Sequence, residues 1–445
     1  MGLVDETHNP ELQSWVRSSR SGETPFPIQN LPLGVFKPKS SQERPRVGVR
    51  IGDSILDLQQ AFSRKLLTGH AEGAVGVDAG GSLNALMSLA ASVRRDLRRQ
   101  LSALLQAGGS DVIARERATT SALVAVTEVE MLLPADTRNF IDCYASLHHA
   151  TNSGRMLRPG DPTPLLPNWK WMPLGYHGRP TSLCVSGTSI RRPTGQTRPE
   201  PTAPPVFGPT AEMDFELELG FFVGPGQAAN ESISIDKACS HIAGFVIVND
   251  WSARDIQTWE ASPLGPFQSK SFATSISPWV VTAEAISPFR APAYPRPPED
   301  PQPLPHLWSA EDQAMGGLNI QMEAALRTSL MRKSGMAMQR ITQSNTRELY
   351  WTFQQMVAHQ AGNGTRLFAG DLVASGTVSG TDVGTRGCLL EATHRGRDPL
   401  VLSNGEKRTF LEDGDEVVLT ARCEREGFIP IGFGECAGLV SPSVG

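Results

Sequence analysis

Cysteine is scarce in this 445-residue chain: there are six, at positions 143, 184, 239, 388, 423 and 436, with no C-x-x-C pair. In a chain this long they read as reduced thiols and not as a disulfide frame. An excess of basic residues is also missing. The formal net charge of -5 excludes a global electrostatic footprint for nucleic acid. No apolar stretch approaches the roughly 20 residues of a membrane span. The start, MGLVDETHNPELQ, lacks the basic-then-apolar layout of a signal peptide, and Glu6 stands where a myristoylation signal wants Ser or Thr. A cytoplasmic location is the expectation. Several catalytic loops are absent too: no G-x-S-x-G elbow, no Walker loop, no H-E-x-x-H, and no G-x-G-x-x-G after a strand. Serine hydrolase, NTPase, zincin and dinucleotide-binding readings all lose ground.

What is present is the composition of a soluble globular protein, 39% apolar and 20% charged, with room for roughly two or three domains. Residues 1–24 are polar and expected to be loosely ordered. FPIQNLPLGVF is a turn-rich lead-in, and the alternation from Arg46 to Leu58 around Gly52-Asp53 predicts a hairpin. From Ser82 to Ala107 apolar residues recur at helical spacing, with arginines between them on a face expected to be solvated. A boundary near Leu133-Pro134 divides the chain into a small β module with a helix, 25–134, and a remainder, 135–445. In the remainder strand-like runs dominate: Leu183 to Arg191, Phe215 to Val223, Gly244 to Asn249, Trp279 to Thr282 and Leu367 to Ser375. A proline-rich surface loop is expected from Ser287 to His306, a second helix from Thr346 to Ala361, and short strands at the end. Few helices interleave these strands, which predicts a mixed, largely antiparallel β architecture.

One stretch concentrates polar chemistry, NDWSARDIQTWEASPLGPFQSKSF from Asn249 to Phe272. An apolar run stops at Asp250, where a buried strand would end. Ser252 is placed to cap a short helix with Asp255 three residues on. Arg254, Gln257 and Ala261 share one face of that helix, and Trp251 and Trp259 would pin another face to the core. Lys270 arrives after the turn. A strand end carrying Asp, Arg, Gln and Lys suggests a polar reaction centre.

Three further constellations accompany it. In Asp214-Phe-Glu-Leu-Glu-Leu-Gly220, period-2 alternation puts Asp214, Glu216 and Glu218 on one face. A half-buried strand with an acidic outer face is the ordinary reading, yet stacked like charges invite a cation. With Asp142 and Asp250 the glutamates would form an all-oxygen set suited to Mg²⁺ or Ca²⁺. Second, Asp142, Tyr144, His149 and Arg158 follow one another, with His148 beside His149, so spacing leaves open which histidine would act as a base. Of only four tyrosines, Tyr144 and Tyr176 lie beside these polar clusters, where phenols and an arginine would suit a carboxylate. Third, Ala374-Ser-Gly-Thr-Val-Ser-Gly380, with Glu391 beyond, reads as a tight loop.

These stretches, together with HHATNSGRM, PLGYHGR, VSGTSIRRPTGQTRP, FFVGPG, GDLVASGTVSG, RTFLEDGDEV and GFGECAG, closely resemble the fumarylacetoacetase (fumarylacetoacetate hydrolase) family along nearly the whole chain. The resemblance implies a mainly β fold with some α, made of an SH3-like barrel N-terminal domain, a catalytic β-roll domain and a homodimer. It implies metal ligands at Asp142, Glu216, Glu218 and Asp250, occupied by Mg²⁺ or Ca²⁺. It also implies a general base at His149 oriented by Glu391, oxyanion donors at Arg254, Gln257 and Lys270, and substrate contacts at Tyr144, Arg158, Tyr176 and Thr377. Lys270 and Thr274 would also border a second, structural cation.

The implied reaction is hydrolysis of a C–C bond in a 1,3-diketo acid, 4-fumarylacetoacetate giving fumarate and acetoacetate in tyrosine degradation. Two positions depart from the family pattern. A family tyrosine that touches substrate is Ala261 here, and a family glycine ahead of the lysine is Ser269. Ala261 motivates an alternative, a paralogue acting on a different 1,3-dicarbonyl acid by hydrolysis, decarboxylation or tautomerisation. A non-catalytic binding homologue is the third reading, and retention of His149, Glu391 and every ligand counts against it.

Overall fold

The computed structural model describes residues 4–20, 22, 24–39, 42–75, 81–109, 111–200 and 202–444. The Met1-Gly2 start, considered above for lipidation, lies outside the described residues. The fold is mainly β with some α. Near the N-terminus the strands Leu33–Pro38, Arg46–Ile51, Ser54–Asp57, Leu123–Ala125 and Val129–Leu132 form one antiparallel sheet. The expected hairpin turns at Gly52, whose φ of +53° and contact with the Ser18–Ser19 backbone leave no room for a side chain.

Three expectations for this region are corrected. The opening segment is packed over its described residues: Trp15 Nε1 donates to the Leu104 carbonyl at 3.0 Å and Ser14 Oγ to that of Leu105 at 2.8 Å. The single helix over 82–107 is two, Asn84–Met87 and Ala91–Leu105, because Ala90 leaves helical dihedrals. Arg94 Nη1 takes up the Leu89 carbonyl exposed at that break. The basic face is not simply solvated either. Arg94 and Arg98 are buried: Arg94 pairs with Glu284 at 3.2 Å, and Arg98 donates to Thr7 and to the carbonyls of Gln29 and Asn30. Periodicity places a residue on a face but does not say what that face meets.

The rest of the chain builds a large sheet in the spatial order Gly175–Gly178, Phe140–Cys143, Leu372–Ala374, Leu217–Val223, Ile242–Asp250, Thr274–Ile276 and Leu183–Val185, with Val281–Thr282 off that path. A second sheet runs Gln339–Asn345, Ile320–Arg327, Glu416–Cys423, Ile431–Ser441 and Ser189–Arg191. The expected strand 183–191 is therefore two short strands, one in each sheet. Phe221, Phe245 and Phe353 pack ring against ring in the core, with centroids 5.3–6.3 Å apart. The helix expected over 346–361 is Phe353–Ala361, started by a Thr352/Gln355 capping box after a separate turn at Thr346–Glu348. The proline-rich stretch is only partly on the surface, since Ser287–Phe289 and Arg290–Ala291 are buried.

The acidic strand departs most from expectation. Every residue of Leu217–Val223 is buried, because strands flank it on both edges and packing covers both faces. Glu216 and Glu218 therefore face the interior, not solvent. Pairing also breaks before Leu217. Met213–Asp214 pairs with Ser252–Ala253, while Leu217 pairs with Asn249, so Asp214 leaves the row.

Candidate active site

Neighbouring strands of the large sheet deliver a row of polar side chains. Asp142 stands opposite Tyr176, Ala374 opposite Asp142, Gly220 opposite Ala374, and Asp250 opposite Thr274. Past Ala374 the chain turns at Gly376, where φ is +74° and an added Cβ would lie 2.2 Å from the Cys143 carbonyl oxygen. Only glycine permits that approach, and it brings Thr377 beside the row.

Asp142, Glu216, Glu218 and Asp250 each offer a carboxylate oxygen within 4.8 Å of the others, and all four are buried. Both oxygens of Glu218 and Oδ1 of Asp142 have no hydrogen-bond partner. Burial first, then the charge of the neighbouring carboxylates, pushes the Asp142 and Glu218 acids well above their ordinary range. Leaving such oxygens unpaired costs on the order of 1–3 kcal/mol each. A divalent cation on an all-oxygen set would remove both penalties, so the residues fit one.

Two cations of the protein edge this cluster. Lys270 Nζ donates to Glu216 and, at 2.9 Å, to Asp250 Oδ2. Arg254 Nη1 lies 2.8 Å from Glu216 and donates to Gln257 Oε1 at 3.1 Å, while its Nε donates to Asp214 Oδ2 at 2.9 Å. Arg254 Nη2 is buried without a partner. Burial alone would raise the Glu216 acid, but Lys270, Arg254 and His149 together hold it far below the usual carboxylate range. Asp250 also accepts from Tyr176 Oη at 2.6 Å and Thr274 Oγ1 at 2.8 Å.

The base site adjoins the cluster. His149 lies on the helix Leu147–Leu157, whose N-cap Ser146 accepts from the His149 amide. Its Nδ1 is 2.6 Å from Glu391 Oε2, and its Nε2 is 3.8 Å from Glu216 Oε1. His148 instead meets Glu348 at 3.3 Å, away from the tetrad. Ser379 Oγ at 2.7 Å and Asn152 Nδ2 at 2.9 Å also donate to Glu391, and Cys388 Sγ lies 3.3 Å from it. Burial opposes ionisation of Glu391, yet His149 and these donors bring its acid down to about 2.

The remaining expected residues divide. Tyr144 packs edge-on against His149, its hydroxyl engaged with Ser153, and burial pushes that hydroxyl up to about 12. Thr377 Oγ1 is buried with no partner. Arg158 caps the end of the His149 helix, donating to the Pro164 carbonyl at 2.8 Å with Asp161 3.7 Å away. Among the described residues no hydrogen bond or ion pair joins Arg158 to the tetrad, and its Nε, 3.7 Å from Asp161, has no hydrogen-bond partner.

Around the Arg254 helix two expectations fail. Its range is Arg254–Glu260, with no side-chain cap, because Ser252 is held in the strand Ser252–Ala253 and donates to the Asp250 carbonyl. Trp251 is buried and donates to Ser275, but Trp259 is half-buried beneath Arg198, so a single indole reaches the core. Asp255 accepts from Thr210 and Ala211. Glu260 accepts from the Phe267, Gln268 and Ser269 amides and from the Ser269 hydroxyl at 2.6 Å, fixing the turn that presents Lys270. Sequence reasoning missed Ser379, Asn152, Glu260 and the separate place of Asp214. The usable signal was polarity at positions that helix or loop geometry would aim inward.

Two families match successive parts of the chain. The family described as Fumarylacetoacetase N-terminal matches residues 29–134, and that described as Fumarylacetoacetate (FAA) hydrolase C-terminal matches residues 139–441. The fumarylacetoacetase of Bos taurus is 46% identical over 429 residues, covering 95% of this chain and 97% of that protein. The fumarylacetoacetase of Rattus norvegicus is 45% identical over 429 residues with the same coverage. That of Arabidopsis thaliana is 42% identical over 423 residues, covering 94% of this chain and 96% of its own. A buried carboxylate tetrad beside a His–Glu pair is the arrangement of a metal-assisted hydrolase. The chain belongs to the fumarylacetoacetate hydrolase family.

Proposed function

We propose that this protein hydrolyses the C–C bond of fumarylacetoacetate, giving fumarate and acetoacetate. The single observation that carries this reading is the His149–Glu391 pair, whose free ring nitrogen faces Glu216 of the buried tetrad at 3.8 Å. The carboxylate at Nδ1 keeps a proton on that nitrogen and leaves the Nε2 lone pair directed into the site.

Asp142, Glu216, Glu218 and Asp250 would hold one divalent cation, Mg²⁺ or Ca²⁺, which when bound polarises diketone oxygens and stabilises charge on the departing fragment. His149 Nε2 takes a proton from water as the hydroxyl adds to the ketone carbon. Arg254 Nη2, Lys270 and the Gln257 amide donate to the developing alkoxide. As the C–C bond breaks, its electron pair leaves with the acetoacetate carbon, and the proton held at Nε2 completes that fragment. Tyr144, Tyr176, Thr377 and Arg158 orient the diacid. Lys270 and Thr274 would also border a second, structural cation.

The protein works as a cytoplasmic homodimer on a small diketo acid, with a domain division at 25–134 and 135–445. No described helix is long and apolar enough to cross a membrane. The deciding assay is fumarylacetoacetate consumption with added Mg²⁺ or Ca²⁺. Turnover that chelation removes and the cation restores is expected. Negligible turnover beside an active relative, across both cations, overturns the reading.

A further inference from the structure

Asp214 belongs by sequence to the acidic row and by structure to neither the tetrad nor the base pair, yet its two oxygens reach toward both. Oδ2 accepts from Arg254 Nε and from the Leu390 amide, each at 2.9 Å. Oδ1 accepts from the Leu389 amide at 2.7 Å and the Phe215 amide at 2.9 Å. The residue is 0% exposed, so no water competes for these positions.

Leu389 and Leu390 are the first residues of the single helical turn Leu389–Ala392, which carries Glu391. The residue before that turn, Cys388, gives it no side-chain cap. Asp214, distant in the chain, supplies the acceptor oxygens those leading amides need. The same carboxylate fixes the Arg254 guanidinium through Nε, which leaves Nη1 on Glu216 and Nη2 unpartnered. Four N–H donors on one ionised carboxylate use its acceptor capacity, and its charge offsets Arg254. The break in pairing between Asp214 and Leu217 makes this possible, since a continued strand would have kept Asp214 in register with Glu216 and Glu218.

We propose that Asp214 is a positioning residue that locks the oxyanion donor Arg254 and the Glu391 turn into one unit, and so sets where His149 Nε2 lies relative to Arg254 Nη2. The inference rests on the reading of His149 as base and Arg254 as donor. Asp214 touches no substrate. It acts by keeping two groups that approach the reacting carbon from different parts of the chain at a fixed separation. A carboxylate is required because it accepts on both oxygens. An asparagine at this position would offer a donor where an amide or the guanidinium already points.

The test compares Asp214→Asn with Val417→Ala, a cavity variant in the second sheet whose loss of melting temperature serves as the stability control. Three readouts are taken: Mg²⁺ affinity by calorimetry, the low-field proton resonance of the His149 Nδ1–H (assigned by its loss in His149→Ala), and kcat against KM. Asp214→Asn is expected to bind Mg²⁺ as the wild type does, to shift or broaden the low-field resonance, and to lower kcat about 100-fold with KM little changed. Val417→Ala should keep both the resonance and kcat. In an Arg254→Gln background, adding Asp214→Asn should lower kcat much less than it does alone.

An unchanged resonance together with kcat within about threefold of the control overturns the proposal. Should Asp214→Asn fail to fold, Arg254→Gln alone reports through the same resonance, because releasing one half of the clamp must disturb the other. An undisturbed resonance there overturns the proposal equally. If the wild type does not turn over fumarylacetoacetate, the functional reading falls, while the resonance still decides whether Asp214 holds the Glu391 turn.

Discussion

His149 Nδ1 lies 2.6 Å from Glu391 Oε2, and Glu391 accepts further from Ser379 and Asn152. A carboxylate held by three donors at hydrogen-bond distance stays ionised, orients the ring, and stabilises the imidazolium that forms when Nε2 accepts a proton. Replacing His149 by Ala should lower kcat by about 10³-fold or more while Mg²⁺ affinity, read by calorimetry, changes little. Glu391→Gln keeps the shape and removes the charge, and should lower kcat by about 10²-fold with a smaller effect on KM. Turnover surviving in His149→Ala would place the base elsewhere.

Chelation tests the tetrad through stability instead of rate. Of the four buried carboxylates, Asp142 and Glu218 keep unpartnered oxygens that a cation would satisfy. Saturating Mg²⁺ or Ca²⁺ should raise the melting temperature over EDTA-treated protein, by about 2.7 kcal/mol of stability at 100 times the dissociation constant. Glu218→Gln should abolish most of that difference and raise the melting temperature of the cation-free protein. Equal melting curves with and without cation would count against a bound ion.

Ala261 receives the last turn of the Arg254 helix, its amide donating to the Gln257 carbonyl at 3.0 Å. Restoring the family phenol with Ala261→Tyr should raise kcat/KM for fumarylacetoacetate by about tenfold, one hydrogen bond's worth of about 1 kcal/mol or slightly more. A panel of acylpyruvates and larger diketo acids run on both forms gives the control. No gain, or a loss, on fumarylacetoacetate would show that the pocket is complete without the phenol.

The Arg94–Glu284 pair joins the helix Ala91–Leu105 to a segment far along the chain, and both side chains are 8% exposed. Removing one partner strands the other charge, so Glu284→Gln or Arg94→Met should destabilise by about 3–5 kcal/mol in denaturant unfolding. The double substitution should recover part of the loss. An additive double variant would mean that the two charges act separately.

Asp312 carries a pH signature away from the site. Burial raises its acid from 3.8 to about 6, against the opposing hydrogen bond from Thr352. The folded state therefore binds this proton more tightly than the unfolded chain. That contribution is present in full below about pH 4 and lost as the pH rises through about 6, a change of about 3 kcal/mol. Relative to Asp312→Asn, which has no proton to lose there, the wild type should weaken across this window in urea titrations. Parallel pH profiles for the two proteins would refute it.

Much of the site was legible because strand ends announce themselves: an apolar run closing on Asp250, and alternating glutamates between leucines. The pairing partners were not legible. Whether Asp214 stays beside Glu216 depends on Ser252–Ala253 and Met213–Asp214 choosing each other, and that same pairing defeated Ser252 as a helix cap. Arg94 and Arg98 looked solvated because their acceptors, Glu284 and the Gln29 and Asn30 carbonyls, are remote in sequence. Local patterns report period and polarity. Burial by a distant segment leaves no mark in a window of a dozen residues.

The strand Leu372–Ala374 lies between Phe140–Cys143 and Leu217–Val223, so it separates Asp142 from Glu218 in the sheet. During synthesis Asp142, His149, Glu216, Glu218 and Asp250 have all left the ribosome long before that strand exists. Until it is made, no strand joins Phe140–Cys143 to Leu217–Val223, and Glu391 is later still. A chain truncated before residue 372 lacks the strand that joins Asp142 to Glu218 across the sheet. Cation binding is therefore expected only of a chain made past residue 374, and a chain stopped short of that strand is expected to lack activity.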